Sequence, residues 1–355
     1  MRLSDADAGR WAAAALLRLI AAPSPSGREH PAVDEAERLA VELGLPVRRM
    51  PVAGCADNLL IGEQGPPALL LNAHTDTVTP SWPPESPRLE GGRVRGLGAV
   101  DDKGQIVTFL LALQIAGPVP GVALGLTVDE EDVGRGSRAM AAALRPPRVL
   151  VGEGTGLRIA EAECGHVEGT IRFHGTAVHG AYAEPRGNPI HDAARLLAGL
   201  DAEPLAPPDL VKVVAREIQG GGEMNVSPAG VRMELHAKVL PGADAGGFAA
   251  ALERRVAATG GEVAFVEVIE AFAPRAPSPL AALLAAEVGA GAERLLMPAW
   301  TDAHNFVEVS GSDVVVFGPG SLLDAHRPGE SIAVDEMVQA ARAIGRMIED
   351  TEVAV

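Results

Sequence analysis

The apolar run Ala68-Leu-Leu-Leu-Asn-Ala ends abruptly at His74-Thr-Asp76, and no other stretch constrains the fold as strongly. The run has strand length and no apolar–polar alternation, which is the pattern of a strand buried on both faces. Residues two apart on a strand face the same side, so His74 and Asp76 project together beyond its end. A carboxylate behind an imidazole fixes its tautomer and raises its basicity. The same arrangement recurs. Val122–Val128 runs into Asp129-Glu130-Glu131, Val149–Val151 into Gly152-Glu153, and Val314–Phe317 into the loop that carries His326.

Helical patterns separate these runs. Residues 5–22 carry an apolar stripe through Trp11, Leu16 and Leu19, with Asp5 or Asp7 available as a cap. Residues 31–43 begin at Pro31 and stop at Gly44, the expected asymmetry of a helix. Further helices are expected over about 105–115, 136–144 and 334–348. Strand and helix in alternation predict an α/β fold with a mixed, mainly parallel sheet covered on both faces. The pattern changes between about 162 and 272. Val167–Phe173 and Val231–Ala237 alternate apolar and polar residues, as half-exposed antiparallel strands do, with helices expected near 188–200 and 244–258. Two strand–helix–strand passes predict an inserted ferredoxin-like α+β domain. The expected division is 1–162 with 275–355 as one domain and 163–274 as the other, the return linker lying over 274–279.

Composition narrows the function. With a formal net charge of -17, the chain is a poor candidate for nucleic acid or an anionic membrane. Residues 1–7 offer no apolar leader, and the Ala-rich run from Trp11 to Ala22 is too short to span a bilayer. Two cysteines far apart, Cys55 and Cys164, are no disulfide framework and suit a reducing cytoplasm.

In an open α/β sheet, ligands sit beyond the carboxyl ends of the strands. His74, Asp76, Glu130, Glu131, Glu153 and His326 stand at such ends, and Asp101 follows the glycine-rich turn Gly96-Leu-Gly-Ala-Val. Each alone reads more readily as a polar turn or a helix start than as part of a site. Together they form a nitrogen and oxygen donor set suited to zinc, cobalt or manganese, with enough ligands for two ions.

As a set, the motifs Asn72-Ala-His74-Thr-Asp76, Gly96-x-Gly-Ala-Val-Asp101-Asp-Lys-Gly104, Asp129-Glu130-Glu131, Gly152-Glu153, Gly175-Thr-Ala-Val-His179-Gly and Asp324-Ala-His326-x-Pro-Gly-Glu330 resemble the dinuclear-zinc aminoacylase and carboxypeptidase family. That family includes acetylornithine deacetylase and succinyl-diaminopimelate desuccinylase. The resemblance implies two divalent ions, Zn2+ or Co2+, bridged by Asp101. His74 and Glu153 would complete one ion's ligands, and His326 and Glu131 the other's. It further implies that Asp76 orients His74, that Glu130 is the general base, and that His179 reaches an oxyanion across a homodimer.

Asn225 fits the family pattern for substrate contact. Lys238 stands where relatives usually carry arginine, keeping the charge but losing the bidentate fork. Arg327 follows His326 where a small hydroxyl residue is common, so it alters the pocket rim. The length and the loop Phe317–His326 look most like the member that releases lysine, sometimes ornithine, from the γ-glutamyl end of a small acidic amino-group carrier protein. A stand-alone deacylase of small N-acyl amino acids, such as N-acetylornithine or N-acetyl-lysine, or a related metallo-carboxypeptidase, is the alternative. An acidic carrier would require a local basic rim, for which Arg145, Arg148, Arg158, Arg186 and Arg327 are the candidates.

Overall fold

A computed structural model describes residues 4–274, 276–289 and 291–349. The chain divides into two compact units. One comprises Met1–Glu161, Pro274–Met297 and Thr301–Val355, and the other Ala162–Ala273 with Pro298–Trp300. The expected restart of the first domain at 275 and both chain ends lie outside the described residues.

The first unit is built on an eight-stranded sheet. Its strands are β1 (Val47–Met50), β2 (Asn58–Gly62), β3 (Leu69–His74), β6 (Val122–Thr127), β7 (Arg148–Val151), β8 (Ile159–Glu163), β13 (Arg294–Met297) and β14 (Asp313–Val316). They lie in the order β1-β2-β6-β3-β7-β14-β8-β13. The middle four, β6-β3-β7-β14, run parallel. Every residue of β3 and β6 is buried, which is why their sequences do not alternate. Flanking them are α1 (Asp5–Ala21), α2 (His30–Glu42), α3 (Lys103–Ala116), α4 (Arg135–Leu144), α7 (Pro279–Val288), α8 (Asp302–Asn305) and α9 (Val334–Glu349). The α1 cap is Ser4, whose side chain accepts the Asp7 N–H, rather than Asp5 or Asp7. A small sheet of β4 (Arg88–Glu90), β5 (Arg93–Arg95) and β15 (Ser331–Ala333) ties residues after His326 to residues before Asp101.

Two motif glycines have packing reasons. A Cβ on Gly104, in the first turn of α3, would lie 2.3 Å from the Ala99 carbonyl oxygen. One on Gly152 would lie 2.7 Å from Gln105 and Phe109 of the same helix. The absent side chains let α3 sit directly under the strand ends, which fixes the turn bearing Asp101.

The second unit has the inserted ferredoxin-like form. Its strands β9 (Gly165–His174), β10 (Val211–Gly220), β11 (Gly230–Val239) and β12 (Gly261–Ile269) lie in the order β10-β11-β9-β12, with every paired neighbour antiparallel. Burial alternates residue by residue along β11. The buried face packs on α5 (Pro189–Ala202) and α6 (Ala245–Ala258) through Ile171, Phe173, Leu235, Leu196, Phe248 and Leu252. Among the described residues, no helix is long and apolar enough to cross a membrane.

Candidate active site

The carboxyl ends of the four parallel strands bring the donor residues together. His74 is the last residue of β3, Glu130 and Glu131 follow β6, Glu153 follows β7, and His326 stands ten residues beyond β14. Asp101 enters from the turn before α3. One of its oxygens lies 2.9 Å from His74 Nε2 and the other 3.1 Å from His326 Nε2. His326 Nε2 is also 2.9 Å from Glu131 Oε1. Two donor groups share Asp101: His74, Asp101, Asp102 and Glu153 form one, and Asp101, Glu131 and His326 the other. Within each, one ligand atom per residue lies within 4.8 Å of the rest.

The surrounding bonds hold this arrangement in place. His74 Nδ1 lies 3.1 Å from the Asp76 carbonyl oxygen and 3.3 Å from its Oδ1, which leaves Nε2 turned to Asp101. The Asp76 carboxylate accepts the backbone N–H groups of Glu130 (3.1 Å) and Glu131 (3.0 Å) and the Ser26 hydroxyl (2.8 Å). One carboxylate therefore sets a ligand on β3 and the turn after β6 together. Glu130 Oε2 is 3.9 Å from His74 Nε2.

Charge is crowded here. Burial opposes ionisation of Asp101, but the hydrogen bonds from His326 and His74 outweigh it and hold the carboxyl well below its usual range. Burial pushes Glu130 and Glu153 well above theirs, and neighbouring carboxylates add to both. His326, between Asp101 and Glu131, is pushed up to about 10 by those two partners. Buried acids gathered this closely are repulsive without a cation among them. Every donor is nitrogen or oxygen and none is sulfur, so the set fits divalent zinc, cobalt or manganese.

Two contributors were not foreseen. Asp102 is fully buried, accepts the His74 N–H at 2.9 Å through Oδ2, and leaves Oδ1 without a partner. Glu330 is 2% exposed and accepts the N–H groups of Val100 (2.8 Å) and Asp101 (3.3 Å), so it braces the turn that presents the shared ligand. The doubled acid at 101–102, and a glutamate four residues after His326, were signals in the sequence.

The proposed arginine rim needs correction. Arg148 begins β7, whose far end leads to Glu153, and Arg145 precedes it. At about 3.3 Å per residue, five residues put Arg148 roughly 15 Å from Glu153, at the amino end of the sheet. Arg327 stays beside His326, exposed, donating to the Leu323 carbonyl at 3.2 Å. Arg158 donates to the Thr155 carbonyl near Glu153 at 3.0 Å. His179, Arg186, Asn225 and Lys238 belong to the second unit. His304 sits on α8 with Nε2 3.9 Å from Glu308.

The profile of peptidase family M20/M25/M40 matches residues 70–350. The chain belongs to that family. It is 31% identical over 302 residues to a Pyrobaculum aerophilum protein with the provisional name LysW-lysine/LysW-ornithine hydrolase, covering 82% of this chain and 84% of that one. It is 28% identical over 371 residues to the acetylornithine deacetylase of Myxococcus xanthus, covering 94% and 96%. A tripeptidase of Staphylococcus aureus has the same fold, with a TM-score of 0.78 at 18% identity over 98% of both chains. This family member is a metal-dependent hydrolase with donor groups for two ions.

Substitutions should separate ligation from chemistry. Asp101→Ala should lose bound metal, read by elemental analysis. Glu130→Gln should keep its metal and lose at least roughly 10²-fold in turnover, the usual scale for a general base. Near-normal turnover in Glu130→Gln would remove Glu130 from that role.

Proposed function

We propose that the enzyme hydrolyses an N-acyl amide, releasing lysine or ornithine from the γ-glutamyl end of a small acidic amino-group carrier protein. One observation carries the amide-hydrolase part: the two oxygens of Asp101 face different imidazoles, with a buried glutamate 3.9 Å from one of them. The carrier part is supported by the name of the Pyrobaculum relative.

The residues that would hold two ions are His74, Asp101, Glu153, Glu131 and His326, with Asp102 in reserve behind His74. Bound divalent zinc or cobalt would polarise the scissile carbonyl and acidify water at neutral pH. The chain's own groups do the rest. Asp76 holds the His74 ring with Nε2 facing inward. Glu130 Oε2 takes a proton from the attacking water and returns it to the departing amine nitrogen. Arg327 lies beside His326 and is suited to an acidic group on the substrate. Asn225 and Lys238 are the further substrate contacts we assign. The free thiols of Cys55 and Cys164 agree with a cytoplasmic enzyme.

A side-by-side assay tests the substrate. Metal-loaded enzyme offered carrier-linked lysine, N-acetylornithine and N-acetyl-lysine should prefer the first, and chelation should abolish all turnover until zinc or cobalt is returned. Preference for N-acetylornithine would instead favour a stand-alone deacetylase, a reading that the Myxococcus relative keeps open.

We also infer a homodimer in which each site is completed by His179 of the partner subunit, as the family resemblance implies. An imidazole donor aimed at a developing oxyanion is worth about 10²–10³ in turnover. Mixing Glu130→Gln with His179→Ala under subunit exchange should restore activity, because one site of the mixed dimer then carries both defects and the other neither. Activity that stays at the parental level would rule out the exchange of His179 between copies.

A further inference from the structure

His179 is exposed, yet its ring is held. The residue precedes a single 3-10 turn, Gly180–Tyr182, and its Nδ1 accepts the N–H of Ala181 at 3.2 Å. A backbone N–H can only donate, so in this contact Nδ1 is the accepting ring nitrogen, which leaves Nε2 as the ring's donor. The Tyr182 ring stands edge-on to it, 6.1 Å away between centroids.

The segment that carries this ring is zipped to a second loop. Ser227 Oγ accepts the N–H of Val178 and donates to the carbonyl of Thr176, both at 2.9 Å. Ser227 N–H donates to the Val178 carbonyl at 2.9 Å, and His179 forms a bridge with Val226. Gly180 N–H donates to the Asn225 carbonyl at 2.5 Å. Asn225 holds a left-handed conformation with φ of 70°, which aims that carbonyl at Gly180. Any side chain at 180 would crowd it, since a Cβ there would meet the Asn225 oxygen at 3.2 Å. One serine thus binds the residue before His179 through both its backbone groups, and the following residue is bound to Asn225.

We propose that Ser227 is a positioning residue for His179. With the Asn225 carbonyl, it fixes the loop so that the imidazole presents Nε2–H outward as a neutral hydrogen-bond donor. The proposal rests on the reading of His179 as the oxyanion donor and names what makes that donor competent. A ring free to turn would offer the wrong nitrogen part of the time, and small misplacements of catalytic groups are costly.

The test is a mutant cycle on the metal-loaded enzyme with Ser227→Ala, Ser227→Thr, His179→Ala and the double variant Ser227→Ala/His179→Ala. Ser227→Ala should lower kcat about 10-fold, with KM and metal content unchanged, and Ser227→Thr should recover most of it. In the His179→Ala background the same change should cost nothing further, because the group it positions is gone. An equal loss in both backgrounds, or no loss in either, overturns the proposal. Long-range 1H–15N spectra of histidine-labelled wild-type enzyme give a second reading independent of folding in the variants. A protonated Nε2 on neutral His179 is expected, and a protonated Nδ1 overturns the proposal even if Ser227→Ala does not fold. If His179→Ala itself keeps normal kcat, the assignment of His179 as oxyanion donor fails instead, which is a separate outcome.

Discussion

The first unit depends on Asp101 being shared between His74 and His326. That carboxylate is buried in one group with Asp102 and Glu153, and Glu130 stands 3.9 Å from His74 of the same group. Removing one partner from a buried ion pair costs about 3–5 kcal/mol. The net stability of a whole domain is only about 5–15 kcal/mol. A cluster of buried acids therefore cannot persist as mutually repelling anions. It survives through imidazole partners, through backbone N–H groups on Asp76 and Glu330, and, in the working enzyme, through cations.

The fold supplies these partners at defined places. Four parallel strands end at one edge, so residues far apart in sequence leave the sheet side by side. Asp76 then joins β3 to the turn after β6, and Glu330 joins the His326 loop to the turn before α3. Neither needs to touch substrate. They fix the spacing of the donor groups around Asp101, and catalysis by oriented groups is sensitive to such spacing. The second unit uses the same principle, with Ser227 and the Asn225 carbonyl bound to the backbone around His179.

Much of this was legible in the residues. Unbroken apolar runs marked the central strands because burial on both faces removes alternation, and β9 and β11 alternated because one face is exposed. The polar residues at which those runs stop are the ones the fold brings together around Asp101. Short edge elements were not legible. β1 carries Arg48 and Arg49 on a half-exposed edge, and β4, β5 and β15 have three residues each, so tertiary pairing rather than pattern makes them strands. The helix α7 was missed because the proline-rich stretch before it read as linker, although Ser278 caps it and Pro279 opens it. Arg145 and Arg148 were misplaced because composition gives a charge but not the end of the sheet at which it stands. Asp102 and Glu330 were visible as acids beside Asp101 and after His326, but the backbone N–H groups they accept became clear only in the fold.

The central claim is that one carboxylate joins two cation sites. Calorimetric titration of metal-stripped enzyme with Zn2+ or Co2+, followed by thermal unfolding at each loading, addresses it directly. Two ions should bind per chain, and the unfolding temperature should rise with loading, since ligands that bind only the folded state stabilise it. Saturation at one ion per chain, or an unfolding temperature indifferent to metal, would contradict the account.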